Sequence, residues 1–113
     1  MKKIKLAISG CMGRMGQQLI ESSRKDKNFQ LTVLTENKVI NKKINGIEPD
    51  LNNEQAFKKV DVIIDFTVPK CTLEILKIAT KLKKKVVIGT TGFTKKEEGL
   101  IRNYSKKITI LKA

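Results

Sequence analysis

Gly10, Gly13 and Gly16 fall within one seven-residue run, Gly10-Cys11-Met12-Gly13-Arg14-Met15-Gly16. Glycines at this density can cradle a phosphate. The first lets the chain turn tightly off a strand, the second lets backbone N–H groups approach a pyrophosphate, and the third lets the next helix pack closely on the sheet. The N-terminus of that helix then presents unpaired N–H groups and a partial positive charge to the anion. Arg14 sits in the first turn, from where its guanidinium could add a direct phosphate contact. The spacing G-x-x-G-x-x-G is one residue longer than the common G-x-G-x-x-G, so an ordinary strand-to-helix turn is the alternative. Context favours the cradle. Glu36 follows Gly16 by 20 residues, where a carboxylate accepts hydrogen bonds from an adenosine ribose; a solvated loop acid is the alternative there. Glu36 would repel a 2′-phosphate and so favours NADH. Asn37, Lys38, Lys42 and Lys43 lie close enough in sequence to offset that repulsion and leave room for NADPH.

Two further segments carry residues suited to a ligand. Asp65-Phe66-Thr67-Val68-Pro69 and Gly89-Thr90-Thr91-Gly92-Phe93 each close a run of β-branched residues. Glycines and hydroxyls at a strand end allow close backbone approach and hydrogen bonding; plain turn chemistry is the alternative. Asp65 reads as a structural acceptor rather than a catalytic carboxylate. The chain has no histidine, so no imidazole acid, base or metal ligand is available. Cys11 and Cys71 stand 60 residues apart with no ligand-type neighbours. Zinc spacing is therefore absent, and reduced thiols are expected.

The elements that must position these residues follow from hydrophobic period. Residues 3–9 alternate as a first strand, a helix runs from the glycine turn to about Lys25, and residues 29–35 form a second strand. Residues 36–53 are polar and read as a surface excursion with at most a short edge hairpin. A short helix spans 54–59, and residues 60–66 form a strand buried on both faces. Pro69 opens a helix to about Lys83, residues 85–89 form another buried strand, and Thr94 with Glu97 makes a capping box. The helix after it turns Leu100, Ile101 and Tyr104 inward, and residues 108–111 are a last strand. Strands alternating with helices imply an α/β fold, a Rossmann-like doubly wound parallel sheet in the spatial order second, first, third, fourth, fifth strand. A ligand then binds where that order reverses, between the first and third strands.

Composition agrees with a globular chain. Of 113 residues, 40% are hydrophobic and 31% charged, which excludes disorder. No apolar run reaches the ~18 residues of a membrane span, no signal peptide is evident, and a cytoplasmic setting is expected. Lys plus Arg number 24 against 11 acids, a net charge of +13. Only three of the 24 are Arg and aromatics are 4%, whereas nucleic-acid readers add Arg and stacking rings. The charge is read as scattered surface lysine, with neither nucleic acid nor membrane as partner.

Taken together, Gly10-Cys11-Met12-Gly13-Arg14-Met15-Gly16, Ile64-Asp65-Phe66-Thr67 and Gly89-Thr90-Thr91-Gly92-Phe93 resemble the 4-hydroxy-tetrahydrodipicolinate reductases, and the likeness covers the whole chain. These are nicotinamide-dependent oxidoreductases of the diaminopimelate route to lysine, which reduce a dehydrated dipicolinate precursor to tetrahydrodipicolinate. The resemblance implies that residues 10–15 (Gly10, Cys11, Met12, Gly13, Arg14, Met15) hold the pyrophosphate and Glu36 the adenosine ribose. It places Gly89, Thr90 and Thr91 along the nicotinamide, with Phe66 and Thr67 lining it, and makes Ala113 the start of a further cofactor-contacting segment. Asn37 departs from the family, which often has Arg there for a 2′-phosphate.

The resemblance also implies what lies elsewhere. The family's His-His pair, catalytic Lys and substrate-gripping Gly-Thr belong to a second domain, so no catalytic residue is expected in this chain. Residues 1–113 are then one dinucleotide-binding domain, lacking the substrate and tetramerisation domain of a homotetrameric enzyme and inactive by itself. A stand-alone nucleotide-binding or regulatory module without catalysis is the competing class.

Overall fold

The computed structural model describes residues 3–112; the expectation for Ala113 lies outside them. Six strands form one sheet: β1 (Ile4–Ser9), β2 (Phe29–Glu36), β3 (Asp50–Leu51), β4 (Val62–Asp65), β5 (Lys85–Ile88) and β6 (Ile110–Lys112). Their spatial order is β3-β2-β1-β4-β5-β6. Every neighbouring pair is parallel. The expected order holds, with the two-residue β3 added at one edge. It arises in the polar excursion, where Ile44 and Ile47 also make an antiparallel bridge.

Four helices connect the strands: α1 (Arg14–Lys25), α2 (Glu54–Phe57), α3 (Pro69–Leu82) and α4 (Lys95–Tyr104). On one face of the sheet α2, α3 and α4 bury Phe57, Ile75, Leu76 and Ile101 against Ala7, Val33, Ile63 and Val86. On the other face α1 presses Ile20 onto Ile8, Cys11 and Leu34. Strands of a parallel sheet need cover on both sides, and α1 reaches only the β1–β2 half. Val62, Ile64 and Val87 consequently remain half-buried, where the sequence predicts strands buried on both faces.

Helix ends follow local chemistry. Pro69 occupies the first turn of α3, where a missing N–H costs nothing. That helix stops at Lys83, which adopts the left-handed conformation (φ 58°, ψ 44°) and returns its N–H to Ala79 and Thr80 carbonyls. Leu100 faces otherwise than expected, at 41% exposed, and Met15 in the first turn of α1 is 44% exposed. Ile101 is buried and Tyr104 half-buried, as the apolar stripe requires.

Candidate functional site

The chain order reverses between β1 and β4, and the turns leaving these strands meet at their carboxyl ends. Gly10 and Cys11 donate their N–H groups to the Thr35 carbonyl (3.0 and 3.3 Å), which draws the glycine turn toward β2. Phe66 N–H donates to the Ser9 carbonyl (3.1 Å) and Gly89 N–H to the Asp65 carbonyl (2.8 Å). The ends of β1, β2, β4 and β5 are thereby stitched into one rim. A cleft of about 200 Å³ opens on it, lined by Gly10, Gly13, Glu36, Asn37, Phe66, Thr67, Val68 and Cys71.

The three glycines of the turn differ in why they are glycine. Gly10 has φ +86°, and a Cβ there would lie 2.4 Å from the Phe66 carbonyl oxygen. A Cβ on Gly16 would lie 2.2 Å from the Gly10 carbonyl oxygen. The close approach at Gly16 is therefore to the turn itself, not to the sheet as the sequence suggests. Gly13 is different: its backbone is extended (φ −74°, ψ 166°). A Cβ there would meet only the Gly10 oxygen, at 3.4 Å. Nothing within the fold demands glycine at 13, and its exposed Cα faces open space beside the cleft.

Gly13 is also the N-cap of α1, and no side chain caps that helix. The N–H groups of its first turn therefore lack a protein acceptor of the usual kind. The N-cap of α3, Val68, likewise has no side-chain cap. By contrast α2 and α4 are capped by Asn53 and Thr94, which line no part of the cleft.

Glu36 is clasped to the glycine turn. Its Oε2 accepts the Met12 N–H at 2.9 Å and its Oε1 the Asn37 N–H at 3.2 Å. Each carboxylate oxygen keeps a further lone pair, so the group can still accept hydroxyls from the cleft side. Arg14 and Met15 are exposed beside the cleft; the Cys11 side chain points away from it, into the core under α1. Burial pushes the Cys11 thiol up to about 11, with the Glu36 charge adding to the rise. Burial, followed by the charges of Glu74 and Asp65, also raises Cys71. Both thiols are free, and neither is a thiolate at neutral pH.

Gly89 and Thr90 lie one strand further along. A Cβ on Gly89 would fall 2.0 Å from the Phe66 ring, so the ring packs directly over that glycine. Thr90 is buried and its Oγ1 accepts the Thr67 N–H at 3.0 Å. Thr91 is exposed beyond it. The structure thus brings Gly10, Gly13, Glu36, Phe66 and Thr67 to one cleft, joins Gly89 and Thr90 to its edge, and leaves Thr91 outside. The sequence reading omitted Val68 and Cys71 as lining residues. Pro69 was the available signal, since it fixes the first turn of α3 and hence which residues open onto the switch point.

Among the described residues no group of three or more His, Cys, Asp or Glu could hold a metal ion. No described helix is long and apolar enough to cross a membrane.

Comparison with known proteins agrees with this geometry. The family described as "Dihydrodipicolinate reductase, N-terminus" matches residues 4–113. A 4-hydroxy-tetrahydrodipicolinate reductase of Pelagibacter ubique (strain HTCC1062) is 74% identical over 113 residues, covering 100% of this chain and 44% of the relative. One from Bdellovibrio bacteriovorus is 41% identical over 111 residues, covering 98% of this chain and 44% of the relative. This chain thus spans less than half the length of these relatives. Among solved structures, the dipicolinate-bound dihydrodipicolinate reductase of Paenisporosarcina sp. TG-14 superposes with a TM-score of 0.75 at 26% identity, over 92% of this chain and 43% of that one. A Rex-family repressor superposes with a TM-score of 0.77 at 14% identity, over 99% of this chain and 53% of that one, and shares the fold alone. The Rossmann-like sheet, the glycine turn at its switch point and these likenesses agree: the chain belongs to the dihydrodipicolinate reductase amino-terminal family.

Proposed function

We propose that this chain is the nicotinamide-dinucleotide-binding part of a 4-hydroxy-tetrahydrodipicolinate reductase, acting in the cytoplasm. The observation that carries the reading is Gly13. At this N-cap the fold leaves room for a side chain, yet none of the capping residues Ser, Thr, Asp or Asn stands there to accept the N–H groups of the first turn. A ligand phosphate seated on the uncapped N-terminus of α1 supplies the missing acceptor.

In this reading residues 10–15 hold the pyrophosphate, chiefly through the backbone N–H groups of Arg14 and Met15 at the start of α1, since those of Gly10, Cys11, Met12 and Gly13 are bonded within the protein, with the Arg14 side chain as an added cation. Glu36 accepts the adenosine ribose hydroxyls while its bonds to Met12 and Asn37 keep the carboxylate in place. Phe66, Thr67, Gly89, Thr90 and Thr91 border the nicotinamide, and Ala113 belongs to the segment beyond. The bound dinucleotide supplies a hydride; this chain's residues bind and orient it. The proton donor and carboxylate grip for the dipicolinate precursor fall outside this chain, which has no histidine. NADH is favoured because the Glu36 charge meets a 2′-phosphate unfavourably and Asn37 offers no cation beside it.

The test is fluorescence titration of NADH and NADPH into the protein and into Gly13→Val. NADH should bind at least as tightly as NADPH, and the variant should lose NADH affinity by about tenfold or more while melting near the parent temperature. The extended backbone at position 13 suits a β-branched residue. An unchanged NADH affinity in the variant would remove the pyrophosphate assignment. A tenfold preference for NADPH would remove the ribose reading of Glu36.

A further inference from the structure

Asp65 ends β4 on the face covered by α3, with no exposed surface. Neither ion pair found among the described residues involves it. Its partners are instead three threonine hydroxyls from three different segments. Thr67, in the turn after β4, donates to Oδ1 at 2.6 Å. Thr72, in α3, donates to Oδ2. Thr90, after β5, lies 3.3 Å from Oδ2 and 3.0 Å from the Thr72 hydroxyl. Burial raises the Asp65 carboxyl above the usual range, and these hydroxyl bonds pull it back in part.

A hydroxyl has one proton to give, and the geometry uses each of them. Thr67 gives its proton to Oδ1 and Thr72 gives its own to Oδ2, so Thr90 donates to Thr72 or to Oδ2. The Thr90 oxygen in turn accepts the backbone N–H of Thr67. The result is a closed circuit that only a two-oxygen acceptor can complete. An apolar residue at 65 would strand the fully buried Thr72 hydroxyl, which is the costly outcome for a buried donor. A satisfied network of this kind fixes one arrangement of the segments it joins.

We propose that Asp65 is a positioning residue for the nicotinamide end of the site. Without touching ligand, it works through Thr72 to set the relative placement of Thr67 and Thr90, and so joins the strand ends of β4 and β5 into one surface. This rests on the assignment of Thr67 and Thr90 to the nicotinamide side.

The discriminating position is Thr72, which is fully buried and lines no part of the cleft. In the full-length protein, Thr72→Val removes the relay hydroxyl at constant shape, and Thr72→Ser keeps the hydroxyl but deletes a buried methyl. Three quantities are read: the dissociation constants of NADH and of ADP-ribose, which lacks the nicotinamide, and the melting temperature. Thr72→Val should weaken NADH by about tenfold while ADP-ribose changes by less than about threefold. Thr72→Ser should bind both as the parent does, although its buried methyl is lost and its melting temperature falls. Asp65→Asn, whose amide brings two donors into a ring of donors, should show the same split between NADH and ADP-ribose. Equal losses of NADH affinity in the Val and Ser variants would overturn the positioning role, as would loss of NADH and ADP-ribose in parallel. A parent protein that binds neither compound would instead remove the dinucleotide reading, and the positioning role with it.

Discussion

Gly16 carries the tightest steric demand in the glycine turn. A Cβ at that position would sit 2.2 Å from the Gly10 oxygen and 2.9 Å from the Cys11 Cα, both backbone atoms that cannot swing away. Gly16→Ala should therefore push α1 off the turn and cost about 1–3 kcal/mol or more, the range of overpacked interiors. Urea unfolding measures it, and a midpoint unchanged from the parent would show that the turn gives way freely. The three glycines were legible in the sequence as a set, because their spacing is local. Their separate reasons were not. Gly10 is fixed by the Phe66 carbonyl and Gly89 by the Phe66 ring, contacts that exist only once β1, β4 and β5 lie side by side. Glu36 shows the same limit. Its distance from the turn suggested a ribose acceptor, but its hold on the Met12 N–H is a tertiary contact that no spacing reveals.

At the level of elements, the beginnings of helices were easier to read than their faces. In α4 the Thr94 hydroxyl accepts the Glu97 N–H at 3.1 Å and the Glu97 carboxylate accepts the Thr94 N–H at 2.8 Å. The whole interaction lies within four residues, so the sequence contains it. Thr94→Ala should cost about 1 kcal/mol, as cap removal usually does. It should leave NADH affinity as it was, since Thr94 lines no part of the cleft. A matching fall in NADH affinity would show that this helix helps to shape the site. Faces are harder because a ten-residue helix permits more than one phase. Leu100 was read inward, yet Ile101 takes the buried position and Leu100 is 41% exposed. The strand β3 was missed for another reason: both its residues are exposed. Its pairing with β2 is made by the backbone, and no hydrophobic pattern marks it.

Across the whole molecule, the net charge of +13 is arranged by the topology. Because every strand of the sheet is parallel, each helix starts near the cleft end and finishes at the opposite end. Basic residues stand at both ends: Arg14, Lys70, Lys95 and Lys96 lie in the first turns of α1, α3 and α4, while Arg24 and Lys25 close α1, Lys81 and Lys83 close α3, and Arg102 lies in the last turn of α4. The lysine run 83–85 adds to the end opposite the cleft. Cations at helix C-termini are individually favourable, by about 0.3–1 kcal/mol at low salt. With 24 basic residues against 11 acids, however, most cations have a like-charged neighbour rather than a partner. The two ion pairs found among the described residues, Arg24–Glu21 and Lys81–Glu54, are both exposed, so they contribute little. Repulsion should therefore outweigh attraction in the native state. Raising sodium chloride from about 10 mM to about 300 mM shortens the screening length from ~30 Å to under ~8 Å, which weakens the many long-range repulsions more than the few short contacts. The melting temperature should rise by about 2–5 °C across that range. A fall instead would mean that the cations at the helix ends act chiefly as dipole partners, and that the excess lysine is not a burden on the fold.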